Sequence, residues 1–487
     1  MLSCNMGDLI PVGLTEVLPG DSFRQNTTAL VRCAPLLAPP MHPIDVRIHH
    51  WFVPNRLVWN DWEDFITGGP TGVDASVFPT ITGTGTLGGL RDFLGVPPTV
   101  ASTISALPVR AYNLIYNEWY RDQDLMAERA FSRSSGPDTT TETGLAFIAW
   151  EKDYFTSARP WEVKGPAITI PIAGQAPILG IGILNSETGA SPGTNRVVRE
   201  TKTNPSTVNY PSAQQTSATT PTINVRTTSG TSPRPEIYAD LSQAGGITVN
   251  QLRQSLAIQR YQEAAARYGS RYTEYLARLG VRSSDARLQR PEYLGGGRQR
   301  LSFSEIVQTG PGTVENDTPV GTLRGHGLTA VRSNRYTRFF EEHGFVLTLM
   351  SVRPKTIYGN SLPRHFNRRT KFDYWQRELQ HIGQQTILNK EVYSAAAQPD
   401  GIFGYQDRFD EYRRSESSIA GEFRTLLDYW HFARIFSSQP ALNSTFVSCL
   451  PAERPFAVTS EDVLQVHVKH DIVARRLLSQ TGTSYTF

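Results

Sequence analysis

A chain of 487 residues with 39% hydrophobic and 19% charged residues exceeds the usual single-domain size, and its 39 Gly and 32 Pro suit many short strands joined by turns. Disorder throughout the chain is excluded by 22 Phe, 19 Tyr and 8 Trp, ample material for a core. A net charge of +3 is too mild for a dedicated nucleic-acid-coating protein.

The basic side is lopsided, since only seven of the 48 basic residues are Lys. Arg suits bidentate, partly desolvated contacts with carboxylate or phosphate, and coding bias accounts for the excess equally well. Cys4, Cys33 and Cys449 are odd in number and far apart, which argues neither a disulfide framework nor a zinc ribbon. Without a signal-like N-terminus or an 18-residue apolar run, the expectation is synthesis and assembly in the cytoplasm.

In chain order, residues 1–66 alternate turn signals with β-rich runs. Ile44 to Val53 places Ile44, Val46, Ile48, His50 and Phe52 on one face of a strand that Pro54 ends. Leu57, Trp59, Trp62, Phe65 and Ile66 fit a short helix over 56–66. Gly, Thr and Pro then predict a long surface-loop insertion over 67–110. Tyr112 to Phe131 returns to a helical pattern with an aromatic stripe, more often core than ligand platform.

Residues 174–235 turn abruptly to Thr, Ser, Asn, Pro and Gly, the composition of an insertion and not of core. Thr248 and Gln251 form a capping-box pattern opening a helical insertion and extended segment over 248–300, with an interruption at Gly269 and a C-cap at Gly280. Phe345 to Val352 reads as a mostly buried strand. Leu464, Val466 and Val468 alternate with Gln465, His467 and Lys469 as a one-faced strand. Strands this far apart in sequence fit a Greek-key arrangement with large insertions.

Candidate chemistry is sparse. His467 and His470, like His49 and His50, point to opposite strand faces, so neither pair converges on a metal. Gly295-Gly296-Gly297-Arg298 lacks the ending of a phosphate-binding loop and reads as a flexible turn. There is no G-x-S-x-G, no H-E-x-x-H, and nothing that selects one acid pair from many. No cofactor and no enzymatic activity are expected. Arg368, Arg369 and Lys371, with Arg364 and His365 and flanked by Phe366, Phe372, Tyr374 and Trp375, combine charge with aromatics in the way single-stranded nucleic acid favours. A subunit interface rich in Arg and aromatics has the same composition and is the more common case.

Several blocks resemble the major capsid proteins of the Microviridae, closest to the gokushovirus branch. They are Leu9 to Val12 with Glu16 to Asp21, Trp51 to Trp59, Leu107 to Asn113 with Asn117 to Gln123, Asp153 to Ser157, Ser284 to Gly297, Leu388 to Glu391, and Phe403 to Gln406. The resemblance implies a viral jelly roll in one domain, residues 1–487, with long loop and helical insertions, repeated around the smallest icosahedral shell. It also implies a virion component that encloses a circular single-stranded DNA genome and meets a host receptor through outer loops. The partners it implies are further copies of the chain, a small basic DNA-packaging protein and minor or pilot proteins. A β-sandwich hydrolase and a carbohydrate-binding module are the competing classes; both would run as small species on gel filtration.

Overall fold

In the computed structural model, the described residues are 1–70, 73–98, 101–166, 181–182, 198–200, 208–210, 249–268, 277, 280, 289–309 and 320–478. They form two compact units, one of Met1–Glu162 with Ala265–Phe487 and one of Val163–Ala264.

The larger unit opens with β1 (Leu2–Cys4), β2 (Ile10–Val17), β3 (Ser22–Cys33) and β4 (Ile44–Pro54), followed by a hairpin of β5 (Thr80–Gly83) and β6 (Ser102–Ser105). The smaller unit holds β7 (Ile181–Gly182), β8 (Val198–Glu200) and β9 (Val208–Tyr210) in one antiparallel sheet. The larger unit resumes with β10 (Glu292–Arg300), β11 (Ser302–Val307), β12 (Leu323–Arg332), β13 (Tyr336–Phe339) and β14 (Gly344–Pro354). It ends with the pair β15 (Gln384–Leu388) and β16 (Ile402–Asp407), then β17 (Leu464–Arg475).

Two antiparallel sheets dominate the larger unit. One has the order β1-β17-β3-β12-β11, with β13 also on β3, and the other β10-β4-β14-β2. Their partners come from opposite ends of the chain; Leu464 pairs with Cys33 and Arg475 with Ser22. Facing side chains of both sheets, among them Val31, Cys33, Ile44, Val46, Val331, Met350, Val352, Leu464 and Val466, fill one buried core, and Phe23, Phe52, Tyr336 and Phe340 continue it at one end. The architecture is therefore an antiparallel β-sandwich. No described strand joins both sheets, so no barrel is closed.

The sheets differ on their far sides. β3 alternates buried and exposed along most of its length, so its outer face is open. β14 is buried at nearly every position because a second core, built from Trp59, Val109, Tyr112, Ile115 and Trp150, covers Leu347 and Leu349 from outside. That cover corrects three sequence expectations. The helix expected over 56–66 is confined to α1 (Trp62–Thr67). Residues 67–110 are more than a loop, for they carry the β5–β6 hairpin and α2 (Leu90–Phe93), with Ile81 and Leu90 buried. The helix placed at 112–131 is α3 (Leu107–Ile115), begun at Leu107-Pro108 and extended only by a π-turn to Tyr120. Pro108 fixes the first-turn φ and needs no N–H partner there, which is why the helix starts earlier than its aromatic stripe. α3 is locked down by the fully buried pair Arg110–Asp138 at 2.7 Å, whose guanidinium also donates to the carbonyls of Val58 and Ser134.

Gly295 to Gly297, expected as a flexible turn, lie within β10. A Cβ on Gly296 would sit 2.4 Å from the Ile48 carbonyl oxygen, and one on Gly297 2.4 Å from that of Arg332. Glycine is required because the backbone of β4 presses on Gly296 within the same sheet and the end of β12 presses on Gly297 from the other, where the Asn334 N–H donates to the Gly296 carbonyl at 2.9 Å.

α4 (Val249–Tyr268) begins one residue after the expected cap, and its exposed Leu252, Leu256 and Ile258 lie in the smaller unit. Gly280 has φ +81 and donates its N–H to the Ala277 carbonyl, as a C-cap does. The segment between them, and most of the 174–235 insertion, lie outside the described residues.

Two polar cross-links join the sheets through the sandwich. His50 is hydrogen-bonded to Thr348 Oγ1 and Ser333 Oγ, each at 2.9 Å, and His470 to Thr27 Oγ1 at 2.8 Å and the Val12 carbonyl at 3.0 Å. A Cβ on Gly13 would lie 2.6 Å from His470 Nε2, so glycine makes the second link possible. Burial pushes the imidazoles of His42, His49 and His50 down to about 4 from an ordinary 6.5. These groups hold the fold fully above pH 6.5, and that stability is lost as pH falls toward 4 while the unfolded chain takes up protons first. Asp8, pushed up to about 6 by burial and by Asp462, works in the opposite sense. His50→Gln, which keeps a donor and an acceptor in place, is therefore expected to reduce the loss of unfolding free energy between pH 7 and pH 5 by about 2 kcal/mol relative to the unsubstituted chain. Urea titrations at the two pH values check this; an unchanged difference would remove His50 from the account.

Candidate functional site

The basic run singled out in the sequence lies between β14 and β15 on two short 3-10 turns, Arg364–Asn367 and Lys371–Asp373. The Asp373 carboxylate folds the second turn by accepting from the N–H groups of Arg369 at 2.8 Å and Thr370 at 2.7 Å, and these donors hold its pKa below the usual carboxylate range. Arg364 anchors the first turn by donating to the Thr386 carbonyl at 2.7 Å and to the buried Glu391 carboxylate at 3.0 Å. Burial raises the Glu391 carboxyl, against the lowering pull of Arg364.

The three candidate cations are not equivalent. Arg368 pairs with Glu411 at 3.3 Å, both side chains being 11% exposed, and lies 4.4 Å over the Tyr412 ring. Its charge is already satisfied within the chain. Arg369 is exposed and, among the described residues, its guanidinium donates to the carbonyls of Phe366 and Arg368. The Lys371 ammonium sits 5.1 Å over the Phe372 ring at the surface, with no carboxylate partner among the described residues. Around them Phe366, Phe372, Tyr374, Trp375, Ile382 and Tyr412 are each more than half exposed. A patch of this density on a pinned platform is built to be covered, and aromatics with Arg are what buried interface centres contain.

The outer face of the six-stranded sheet carries cations that sequence reading passed over. Arg24 and Arg32 on β3, Arg332 on β12 and Lys469 on β17 are all exposed there. Their strands could be read from alternation, but pairing across more than 400 residues could not. A cleft of about 950 Å³ beside β1 and β17 is lined by Asp8, Asp92, Glu461 and Asp462, and among the described residues no group of His, Cys, Asp or Glu is arranged to hold a metal ion. His467 is exposed while His470 turns inward, in keeping with the opposite faces expected of them. The three cysteines are buried and form no disulfide, and burial pushes the Cys33 and Cys449 thiols up to about 12, which disfavours the thiolate.

If the aromatic patch is a contact between copies, Phe372→Ser with Trp375→Ser should leave the unfolding midpoint of the unassembled chain unchanged and lower the yield of assembled material by at least about tenfold, since buried aromatic anchors contribute about 2 kcal/mol or more each. Sedimentation of equal amounts of both proteins checks this, and an equal yield would show the patch to be idle.

The family model for capsid protein (F protein) matches residues 1–486. Among curated proteins, the chain is 39% identical over 474 residues to the capsid protein VP1 of Bdellovibrio phage phiMH2K, covering 93% of this chain and 87% of the relative. It is 32% identical to the capsid protein VP1 of Chlamydia phage 1, over 94% and 89% of the two chains. To that of Spiroplasma virus 4 it is also 32% identical, over 91% and 85%. With its sandwich fold and exposed aromatic patch, this chain belongs to the phage capsid protein (F protein) family, as a gokushovirus-like major capsid protein of the Microviridae.

Proposed function

We propose that the chain, a structural component of the virion that assembles into a shell, has its two sheets wound as an open jelly roll repeated about sixty times in the smallest icosahedral arrangement around a circular single-stranded DNA. Assembly takes place in the bacterial cytoplasm, and the role is mechanical, with no catalysis. The observation that carries this reading is the aromatic patch around Trp375 on a platform fixed by Arg364, Glu391 and Glu411. A monomeric enzyme has no use for so much uncovered ring surface. Gel filtration and electron micrographs of the expressed chain test the reading. Megadalton spherical particles are expected, and a small soluble oligomer under all assembly conditions would overturn it.

The shell does not neutralise its DNA alone. About sixty copies at +3 supply on the order of 180 charges against a genome with on the order of thousands of phosphates, so a small basic DNA-packaging protein or cations contribute most of the balance. Minor or pilot proteins and a host surface receptor complete the partners. Of the run Arg368, Arg369 and Lys371, the exposed Arg369 and Lys371 face the DNA in this reading, and Arg368, paired to Glu411, supports the turn. Replacing all three with Gln should lower nucleic acid per particle more than particle number, measured by absorbance ratio and particle count. Equal loss of both would assign the run to the subunit interface.

The variable segment about 174–235 forms an outward projection, clustered around the threefold axes, that serves host attachment or particle stability. Its polar, turn-rich composition cannot order itself alone, and copies meeting at an axis would supply apolar packing, to which the exposed Leu252, Leu256 and Ile258 of α4 also lend themselves. Replacing the segment with a short Gly-Ser linker should reduce adsorption to the host, particle yield, or both. Normal values for both would leave the segment without a role.

A further inference from the structure

We propose that the open face of the six-stranded sheet binds the phosphate backbone of single-stranded nucleic acid, as a contact surface separate from the run at 368–371; this rests on the DNA-enclosing reading above. The register assigns the residues. Thr28 of β3 pairs with Arg332 on one side and Lys469 on the other, and side chains directly opposite share a face. Arg24 and Arg32 lie four residues either side of Thr28, so strand periodicity returns them to that face. With strands about 4.8 Å apart and a rise of about 3.4 Å per residue, the four Cα positions mark a cross about 10 Å wide and about 27 Å long, which long side chains span.

None of the four makes an ion pair among the described residues, whereas Arg47 is paired to Glu151, Arg56 to Glu342 and Arg290 to Glu118. One carboxylate, Asp471, lies in the same β3–β17 rows, two positions from Lys469. Four cations without an ion pair against one acid form a local excess about as large as the net charge of the whole chain. Between the cations Leu30 is exposed beside its row partner His467. Apolar and ring surface between basic heads is what unstacked bases rest on when phosphates are held. A second copy laid on this face would set like charges against each other, at a cost that the phosphate backbone avoids.

Full-length protein stripped of nucleic acid at high salt is titrated into a fluorescein-labelled oligothymidylate, with anisotropy read from about 50 to about 300 mM NaCl. The test protein carries Arg24→Gln, Arg32→Gln, Arg332→Gln and Lys469→Gln, all at exposed strand positions, and the control carries Arg369→Gln and Lys371→Gln. The slope of log affinity against log salt should fall by about 0.7 per lost cation, about 2.8 for the four, with at least a tenfold loss of affinity at the low-salt end. Particle formation, scored by electron microscopy, should be retained. A fourfold variant with the slope and affinity of the unsubstituted chain overturns the proposal, whether the control carries the loss or no protein binds at all. So does unchanged binding with failed assembly, which would make the face a contact between copies. Failure of the underlying reading is distinguishable, because particles purified from the host would then show the absorbance ratio of protein alone.

Discussion

β4 and β14 pair without interruption from Gly344 opposite Pro54 to Pro354 opposite Ile44, and neither strand has a face to give to solvent. A strand buried on both sides needs cover on both sides. One cover is the six-stranded sheet; the other must come from whatever the chain inserts between its strands. α3, the β5–β6 hairpin and the stretch around Ile148 and Trp150 meet that need, which is why the long connections of this protein are not idle surface. Polar groups drawn inside with them have to be satisfied there. Arg110 and Asp138 are wholly buried and bonded to each other and to backbone, and removing either would leave a buried charge with no partner.

Within the largely apolar sandwich, two polar cross-links, at His50 and at His470, connect one sheet to the other. Such links do little for net stability, since their groups are as well hydrogen-bonded in water, but a mispaired register would leave them unsatisfied. They fix one sheet against the other in a single alignment. A shell of identical copies requires this, because small errors in each subunit accumulate around a closed surface.

Among the described residues, the outer face of the six-stranded sheet has no such cover. The result is a division of labour: one sheet supports an elaborated exterior of helices and loops, and the other presents a plain, cation-bearing surface. The aromatic patch at 364–382 lies on neither sheet; Arg364 ties it to β15 and to the buried Glu391. Rigidity and exposed apolar area thus come from different parts of the sequence and meet only in the fold.

The one-faced alternation of Leu464, Val466 and Val468, the unbroken apolar run at 345–352 and the β-rich Ile44 to Val53 were legible from the residues, because strand periodicity and burial are local properties of a sequence. So were the failure of the histidine pairs to converge and the family to which the chain belongs, the latter through blocks quoted in order along the chain. The glycine run at 295–297 misled as a turn, since nothing local tells a flexible glycine from one with a backbone pressed against it; Ile48 and Arg332 decide that, from far away in sequence. The helix near Tyr112 was placed late because its aromatic stripe is more conspicuous than the Leu107-Pro108 start. Within the basic run, composition could not separate Arg368, spent on Glu411 and Tyr412, from Arg369 and Lys371 at the surface. The alignment of Arg332, Thr28 and Lys469 was beyond any reading of the sequence, for it exists only once strands from opposite ends of the chain are paired. Sequence alone determined the strands marked by alternation or an unbroken apolar run and which residues carry charge; tertiary pairing decided which charges share a surface, because register across a sheet is set by the burial of the opposite face and not by any neighbour in the chain.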